Sequence, residues 1–272
     1  LRPRPRVPAV PCSVLVGLSV TFPLGPPIRQ PSVISHLATA RRFASLPLMR
    51  IWPVFFCLAL ISCSRSLTET EQAFTADVLG DTIDTKPIRI TKNAPLGIQT
   101  WEYEKRPRLA CRERINPEPK EETITATAAG VVLYEHVYTS RDWSVPDYVP
   151  SYPEKLHLTA AMFFAHEMVH VWQWQNREIT GYTPFKAAQE HKNGADPYQF
   201  EGASAATFLD YGYEQQAAVV EEYLCCSLLD PEAPRTARLK SLLSPHFPVE
   251  NLPRPDAVVL PWKDAQIKNI CR

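Results

Sequence analysis

Phe163-Phe164-Ala165-His166-Glu167-Met168-Val169-His170-Val171-Trp172-Gln173 decides how the rest of this 272-residue chain is read. The stretch holds an H-E-x-x-H pattern inside an apolar, aromatic run. Leu156, Leu158, Ala161, Met162, Phe163, Phe164, Ala165, Met168, Val169, Val171 and Trp172 predict a buried helix over about 154–176. Pro153 suits its start. Residues four apart share one helical face, so His166 and His170 can both reach one zinc ion, at about 2.0–2.1 Å from each nitrogen. Glu167 would then face a metal-activated water and could take its proton. With 7 His and 19 Glu in the chain, the pattern arises by chance about once in eighty such sequences. The apolar setting lowers that risk. The bland alternative is a core helix whose histidines bond elsewhere.

Two imidazoles leave a catalytic zinc site one protein ligand short. Position 173 is Gln and position 176 is Asn, which excludes the extended H-E-x-x-H-x-x-G-x-x-H arrangement. The third ligand is therefore expected from a later helix, and Glu214 is the candidate. It lies 44 residues after His170, near the start of an amphipathic helix predicted over about 213–229. Glu221, two turns on, is either a second candidate ligand or an acceptor that orients a ligating histidine. Small Ala217 and Ala218 would let the two helices approach closely. Gln173, one turn after His170, is placed to steady the site. Tyr211 and Tyr213 could donate to a developing oxyanion. His136 and His191 are spare candidates that no spacing singles out. Trp172 and Trp174 are expected in the core and at its rim.

The N-terminal part reads differently. Residues 1–48 hold 9 prolines, several arginines and no acidic residue, which predicts a disordered upstream extension. Met49 to Cys63 carry one positive charge, a short apolar core and small residues. That core is too short for a membrane span, which needs about 20 residues, and fits a secretory signal. Leu60-Ile61-Ser62-Cys63 resembles a bacterial lipobox, implying cleavage before Cys63, its lipidation, and a natural start at Met49. Ser64 after the cysteine implies an outer-membrane lipoprotein facing the periplasm. Residues 1–63 carry 7 basic and no acidic side chains, so residues 64–272 hold 22 basic against 29 acidic, a formal net charge of −7. Such a domain has no electrostatic footprint for nucleic acid.

The pattern from Ser64 onward predicts one α+β domain, with a small antiparallel sheet, the motif helix and a second ligand-bearing helix. Ser64 to Thr68 reads as a tether. Thr68-Glu69-Thr70-Glu71 has the form of a capping box before a helix over 69–79 that Gly80 ends. Residues 87–91 read as a strand, and 93–122 as a loop. Residues 123–127 and 131–138 read as strands around a turn at Ala128-Ala129-Gly130. The polar stretch 177–209, with Gly181, Gly194 and Gly202, could carry substrate-binding loops. After a break at Pro231–Pro234 a short helix reaches Leu243, and the proline-rich end is expected along the surface. Export would permit disulfides. Cys111, Cys225, Cys226 and Cys271 allow three pairings, and a bond from Cys111 or Cys271 to the Cys225–Cys226 pair is expected. A Cys-based metal site is the weaker reading.

His166 to Gln173, read with Tyr211-Gly212-Tyr213-Glu214-Gln215-Gln216-Ala217, resembles a bacterial zincin-like family. Its members are labelled Vgr-related or fall near the core domain of extracellular contractile injection systems. Leu67-Thr68-Glu69-Thr70-Glu71 and Val78 to Asp84 are similar to that family's start, so the likeness spans most of 67–229. It implies a metallopeptidase fold and a possible secretion-system partner, without fixing a substrate. Three functions compete on the residues: a zinc metallopeptidase acting on envelope peptides or proteins, a non-catalytic envelope accessory that keeps the fold, and a peptidoglycan amidase with the same metal chemistry.

Overall fold

A computed structural model describes residues 64–96, 100–191, 196–200 and 207–272. The upstream extension, the signal segment and Cys63, together with Gly194 and Gly202, lie outside the described residues. In chain order the elements are β1 (Ser64–Arg65), α1 (Glu69–Leu79), β2 (Arg89–Thr91), β3 (Thr100–Glu104), α2 (Cys111–Arg114), β4 (Thr123–Thr127), β5 (Gly130–Leu133) and β6 (His136–Thr139). There follow β7 (Lys155–His157), α3 (Leu158–Gln175), α4 (Arg177–Thr180), α5 (Pro184–Glu190), α6 (Tyr213–Leu229), α7 (Pro234–Leu243) and β8 (Ala257–Val259). Helices and small sheets make an α+β fold. Among the described residues no helix is long and apolar enough to cross a membrane.

Helix α1 has the boundaries its caps dictate. Thr68 Oγ1 accepts from Glu71 N at 3.1 Å, and Thr68 N donates to Glu71 Oε2 at 2.9 Å. Two orphan donors of the first turn are thus satisfied reciprocally. Gly80, at φ 68°, ends the helix in a conformation that a Cβ would oppose. Within the supposed tether, Ser64 and Arg65 form strand β1. Arg65 reaches the buried Glu71 with both guanidinium nitrogens, at 2.6 and 2.7 Å.

Three strand readings need correction. The main sheet has the order β1-β2-β6-β5 and is mixed, not antiparallel, because β2 runs parallel to β6 with Ile90 opposite Val137. The chain between them is long enough for the crossover that parallel pairing requires. Within that excursion, the supposed loop 93–122 contains β3 and α2. Strand β4 pairs with β3, Tyr103 opposite Ile124, and does not form a hairpin with β5. The hairpin is β5–β6, turning at Tyr134 and Glu135, with Tyr134 at φ 63°. A non-glycine residue in that region leaves no turn signal in the sequence, so 131–138 looked like one strand.

Helix α3 is buried on nearly all sides from Leu158 to Gln173. It starts four residues later than expected because Lys155–His157 are extended and pair in parallel with β8. Phe164 stacks on Tyr148 at 5.5 Å, and Trp172 meets Phe247 edge-on at 4.9 Å. Large side chains buried to this degree contribute about 1.5–3 kcal/mol each. Across from it, Ala217 and Ala218 of α6 are fully buried. Their small size brings the Glu214-bearing helix against the motif helix.

Two disulfides anchor α6. Cys111 bonds Cys225 across 114 residues, and Cys226 bonds Cys271 across 45. Adjacent cysteines point to opposite partners, so the pair ties both α2 and the C-terminal tail to one helix. The tail is not merely draped on the surface, since Ile270 and Cys271 are buried. All four sulfurs are consumed, which disposes of a Cys-based metal site. Loops of this length make each bond worth about 4–5 kcal/mol in chain entropy and about 2–5 kcal/mol in practice. Cys226→Ser is expected to lower the thermal midpoint by about 10 °C. A differential scanning trace unchanged from the parent protein would remove the tail from the stability account.

Candidate metal centre

Helix α3 sets His166 and His170 one turn apart on a buried face, and the first turn of α6 brings Glu214 to them. His166 Nε2 lies 3.1 Å from His170 Nε2, and Glu214 Oε2 lies 3.2 Å and 3.3 Å from those two atoms. Ligands at 2.0–2.1 Å on a tetrahedral ion are about 3.3–3.4 Å apart. The three atoms therefore stand close to three corners of a coordination tetrahedron. The three residues are 5–8 % exposed and form a group that could hold a metal ion.

The tautomer of His170 follows from a chain of hydrogen bonds that can run in one direction only. The backbone carbonyl of Tyr211 can only accept, so Gln216 Nε2 donates to it at 2.8 Å. Gln216 Oε1 then accepts from Gln173 Nε2 at 2.9 Å, which also donates to Tyr213 O at 3.0 Å. This leaves Gln173 Oε1 to accept from His170 Nδ1–H at 2.8 Å. In its neutral form His170 therefore offers the Nε2 lone pair to the site, and the second proton of the metal-free fold sits on Nε2, facing Glu214 Oε2. Gln173 thus links His170 to α6; the part of Gln216 was not legible, because it acts only across the helix interface. At His166, Nδ1 is buried without a hydrogen-bond partner among the described residues, and Glu221 Oε1 is 3.6 Å away. Glu221 thus sits behind the first histidine, outside the ligand group. Arg112 reaches Glu221 Oε2 at 3.4 Å and donates to Tyr198 O at 2.9 Å.

Electrostatics divides the acids. Burial pushes Glu214 up, but the His170 charge and hydrogen bonds from His166, His170 and His191 outweigh it and hold the carboxyl well below 4.5. Burial pushes His170 down, yet Glu214, then Glu167 and Gln173, raise it to about 9. A proton on His170 thus meets the negative charge that a cation would meet. Burial dominates at Glu167 and lifts it to about 7, against the lowering effect of His166 and His170. Its carboxylate lies against Gly130 at the start of β5. A Cβ there would collide with Oε1 and come within 2.6 Å of Cδ.

The group opens into a cleft of about 1150 Å³. Thr127 to Leu133 form one wall, Trp143, Met162 and Phe163 another, and Pro184, Ala187 and Ala188 of α5 a third. The phenols that line the cleft are Tyr182 and Tyr198, not Tyr211 and Tyr213. Tyr213 turns its hydroxyl to Thr180 O, at 3.4 Å, and the Tyr211 ring meets Phe200 edge-on at 6.3 Å. Burial, reinforced by Glu214 and Glu167, raises both Tyr182 and Tyr198, so each keeps its proton as a donor. Sequence reasoning missed them because they stand on segments without a period. His136 bonds Thr91 Oγ1 at 3.0 Å in the sheet, whereas His191 contacts Glu214 Oε1 at 3.2 Å. Trp172 is in the core, and Trp174 at the rim is covered by Arg177 at 4.5 Å.

No protein-family model and no curated protein matches this sequence. Among solved structures, the effector domain of Pseudomonas aeruginosa VgrG2b is similar at 22% identity, with a TM-score of 0.42 over 67% of this chain and 83% of that one. A match that distant assigns no residue; the metal centre stands on its own distances. Those distances, with two histidines on α3 and a glutamate on α6, are consistent with a zincin-like arrangement.

Proposed function

We propose that this protein is a zinc-dependent peptidase, with His166, His170 and Glu214 as the metal ligands and Glu167 as the general base. The observation that carries the reading is the tetrahedral spacing of three ligand atoms beside a buried carboxyl raised to about 7. Two neutral imidazoles and one carboxylate are a donor set that suits zinc. Zinc held there would supply Lewis acidity, lowering the pKa of a water toward 7 and polarising a carbonyl. Glu167 is suited to accept a proton from the attacking water and return it to the leaving nitrogen, since its carboxyl titrates near neutrality. Tyr198 and Tyr182 keep donors in the cleft for a developing oxyanion. Strand β5 is at the sheet edge and lines the cleft, which supports an extended peptide as substrate, held by strand addition.

The bacterial envelope is the proposed site of action. The lipobox-like Leu60–Cys63 and the two disulfides support export to an oxidising compartment and anchoring by lipid. A secretion-system partner is proposed on the family resemblance alone. Fatty-acid labelling that depends on Cys63 tests the anchor, and an unlabelled protein removes it.

For the activity, the purified protein is expected to contain about one zinc per chain and to cleave a peptide library. Cleavage should stop with a chelator and return with zinc. A metal-free preparation, or cleavage indifferent to the chelator, defeats the proposal. Gly130→Ala offers a finer check. The added methyl must displace the flexible Glu167 carboxylate, so stability should change little while kcat falls about 10–100-fold with zinc retained. Unaltered kcat would mean that Glu167 needs no fixed place.

A further inference from the structure

We propose that Glu190 and His191 form a clasp that presents Glu214 to the metal through one oxygen, an inference that rests on the metal-site reading above. The N-cap of helix α6 is Gly212, which supplies no side-chain acceptor. The first amides of a helix need acceptors, and here they come from another element. Glu190, the last residue of α5, accepts from Tyr213 N through Oε1 at 2.9 Å and from Glu214 N through Oε2 at 3.0 Å. Gly212 leaves the room for this, since a Cβ would approach Glu190 Oε1 to 3.0 Å. The carboxylate also sits at the positive end of a 17-residue helix, where anions are favoured. Glu190 thereby fixes the backbone of the very residue whose side chain faces the histidines.

His191, next in the chain, fixes that side chain. Its Nε2 lies 3.2 Å from Glu214 Oε1. An ionised carboxylate can only accept, so Nε2–H donates. The other oxygen, Oε2, is the one near His166 and His170. The two oxygens have separate tasks, one facing the ligand group and one turned to His191. The ring of His191 lies near Trp101 at 5.6 Å and Tyr198 at 5.7 Å, which limit its rotation. His191 belongs to neither the ligand trio nor the proton transfer. It is a positioning residue that holds the carboxylate to single-oxygen ligation, the geometry that a tetrahedral site with an open position requires. Because α5 also walls the cleft, one short segment both shapes the substrate channel and sets the third ligand.

The test uses the full chain with His191→Ala, His191→Gln and Glu190→Gln. Zinc affinity is measured by competition with a chromophoric chelator, the Co²⁺ form by visible absorption, and the metal-free form by thermal melting. His191→Ala should weaken zinc about 10–100-fold and alter the Co²⁺ spectrum, with the metal-free melting point unchanged. His191→Gln should recover most of the affinity, because its amide N–H can still donate. Wild-type affinity and spectrum in His191→Ala overturn the clasp and leave the metal site standing. Losses that merely follow a lowered melting point, equal in the Ala and Gln variants, also overturn it. Should His191→Ala not fold, Glu190→Gln decides: weaker zinc binding at an unchanged metal-free melting point supports the clasp, and wild-type affinity rejects it. No zinc uptake by the parent protein defeats the metal-site reading and this inference together.

Discussion

Glu167→Gln is expected to lower kcat by about 10²–10⁴-fold while the protein keeps its zinc. The amide is nearly the same shape but cannot take a proton. The same substitution should make the metal-free protein more stable. The reason is the cost of burying a carboxylate. Burial raises Glu167 to about 7 in the fold, against 4.5 as its ordinary value. A raised carboxyl contributes no penalty below the lower value, and the penalty grows as pH rises through the higher one. Above pH 7 it amounts to something on the order of 3 kcal/mol, which glutamine does not incur. Melting curves of both metal-free proteins at pH 5 and pH 8 test this. A Gln variant that is equally active, or one less stable than the parent at pH 8, would contradict the assignment.

His170→Ala is expected to weaken zinc by at least about 10³-fold, since one of three protein ligands disappears. The pH dependence of binding gives a second reading of the same site. In the metal-free fold Glu214 helps raise His170 from 6.5 to about 9. Its stabilising contribution is therefore complete below 6.5 and is lost as pH rises through about 9. Zinc must displace that proton. Apparent affinity should climb roughly tenfold per pH unit between 7 and 9 and flatten above, with close to one proton released per ion at pH 7. Calorimetry in buffers of different ionisation enthalpy counts the proton directly. Pumping no proton, or tight zinc binding by His170→Ala, would place the ion elsewhere.

Much of this site could be read from local pattern. The two histidines needed only a helix, and an apolar run of that length supplies one. Glu214 could be anticipated because two imidazoles leave a site incomplete and a second amphipathic helix follows. The caps of α1 are likewise self-contained, with Thr68 and Glu71 satisfying each other within four residues. Reading failed where pairing is remote. Strand β3 and helix α2 lie in a charged, proline-rich stretch whose order comes from β4, from the Cys111–Cys225 bond and from Glu222, which accepts Cys111 N at 2.8 Å. The β5–β6 turn failed for a different reason, since Tyr134 takes a left-handed conformation without glycine.

Local order in the chain determined the motif helix, the extent of α6 and the identity of the histidine pair, because period and capping act within a few residues. Only the tertiary structure decided which nitrogen of His170 faces the metal, which glutamate oxygen joins it and which tyrosines line the cleft. Those choices depend on hydrogen bonds and packing between segments 40 or more residues apart in the case of Gln173 and Tyr213, and 23 for His191 and Glu214. Spacing along a chain carries no record of such contacts; they exist once the helices have closed on each other.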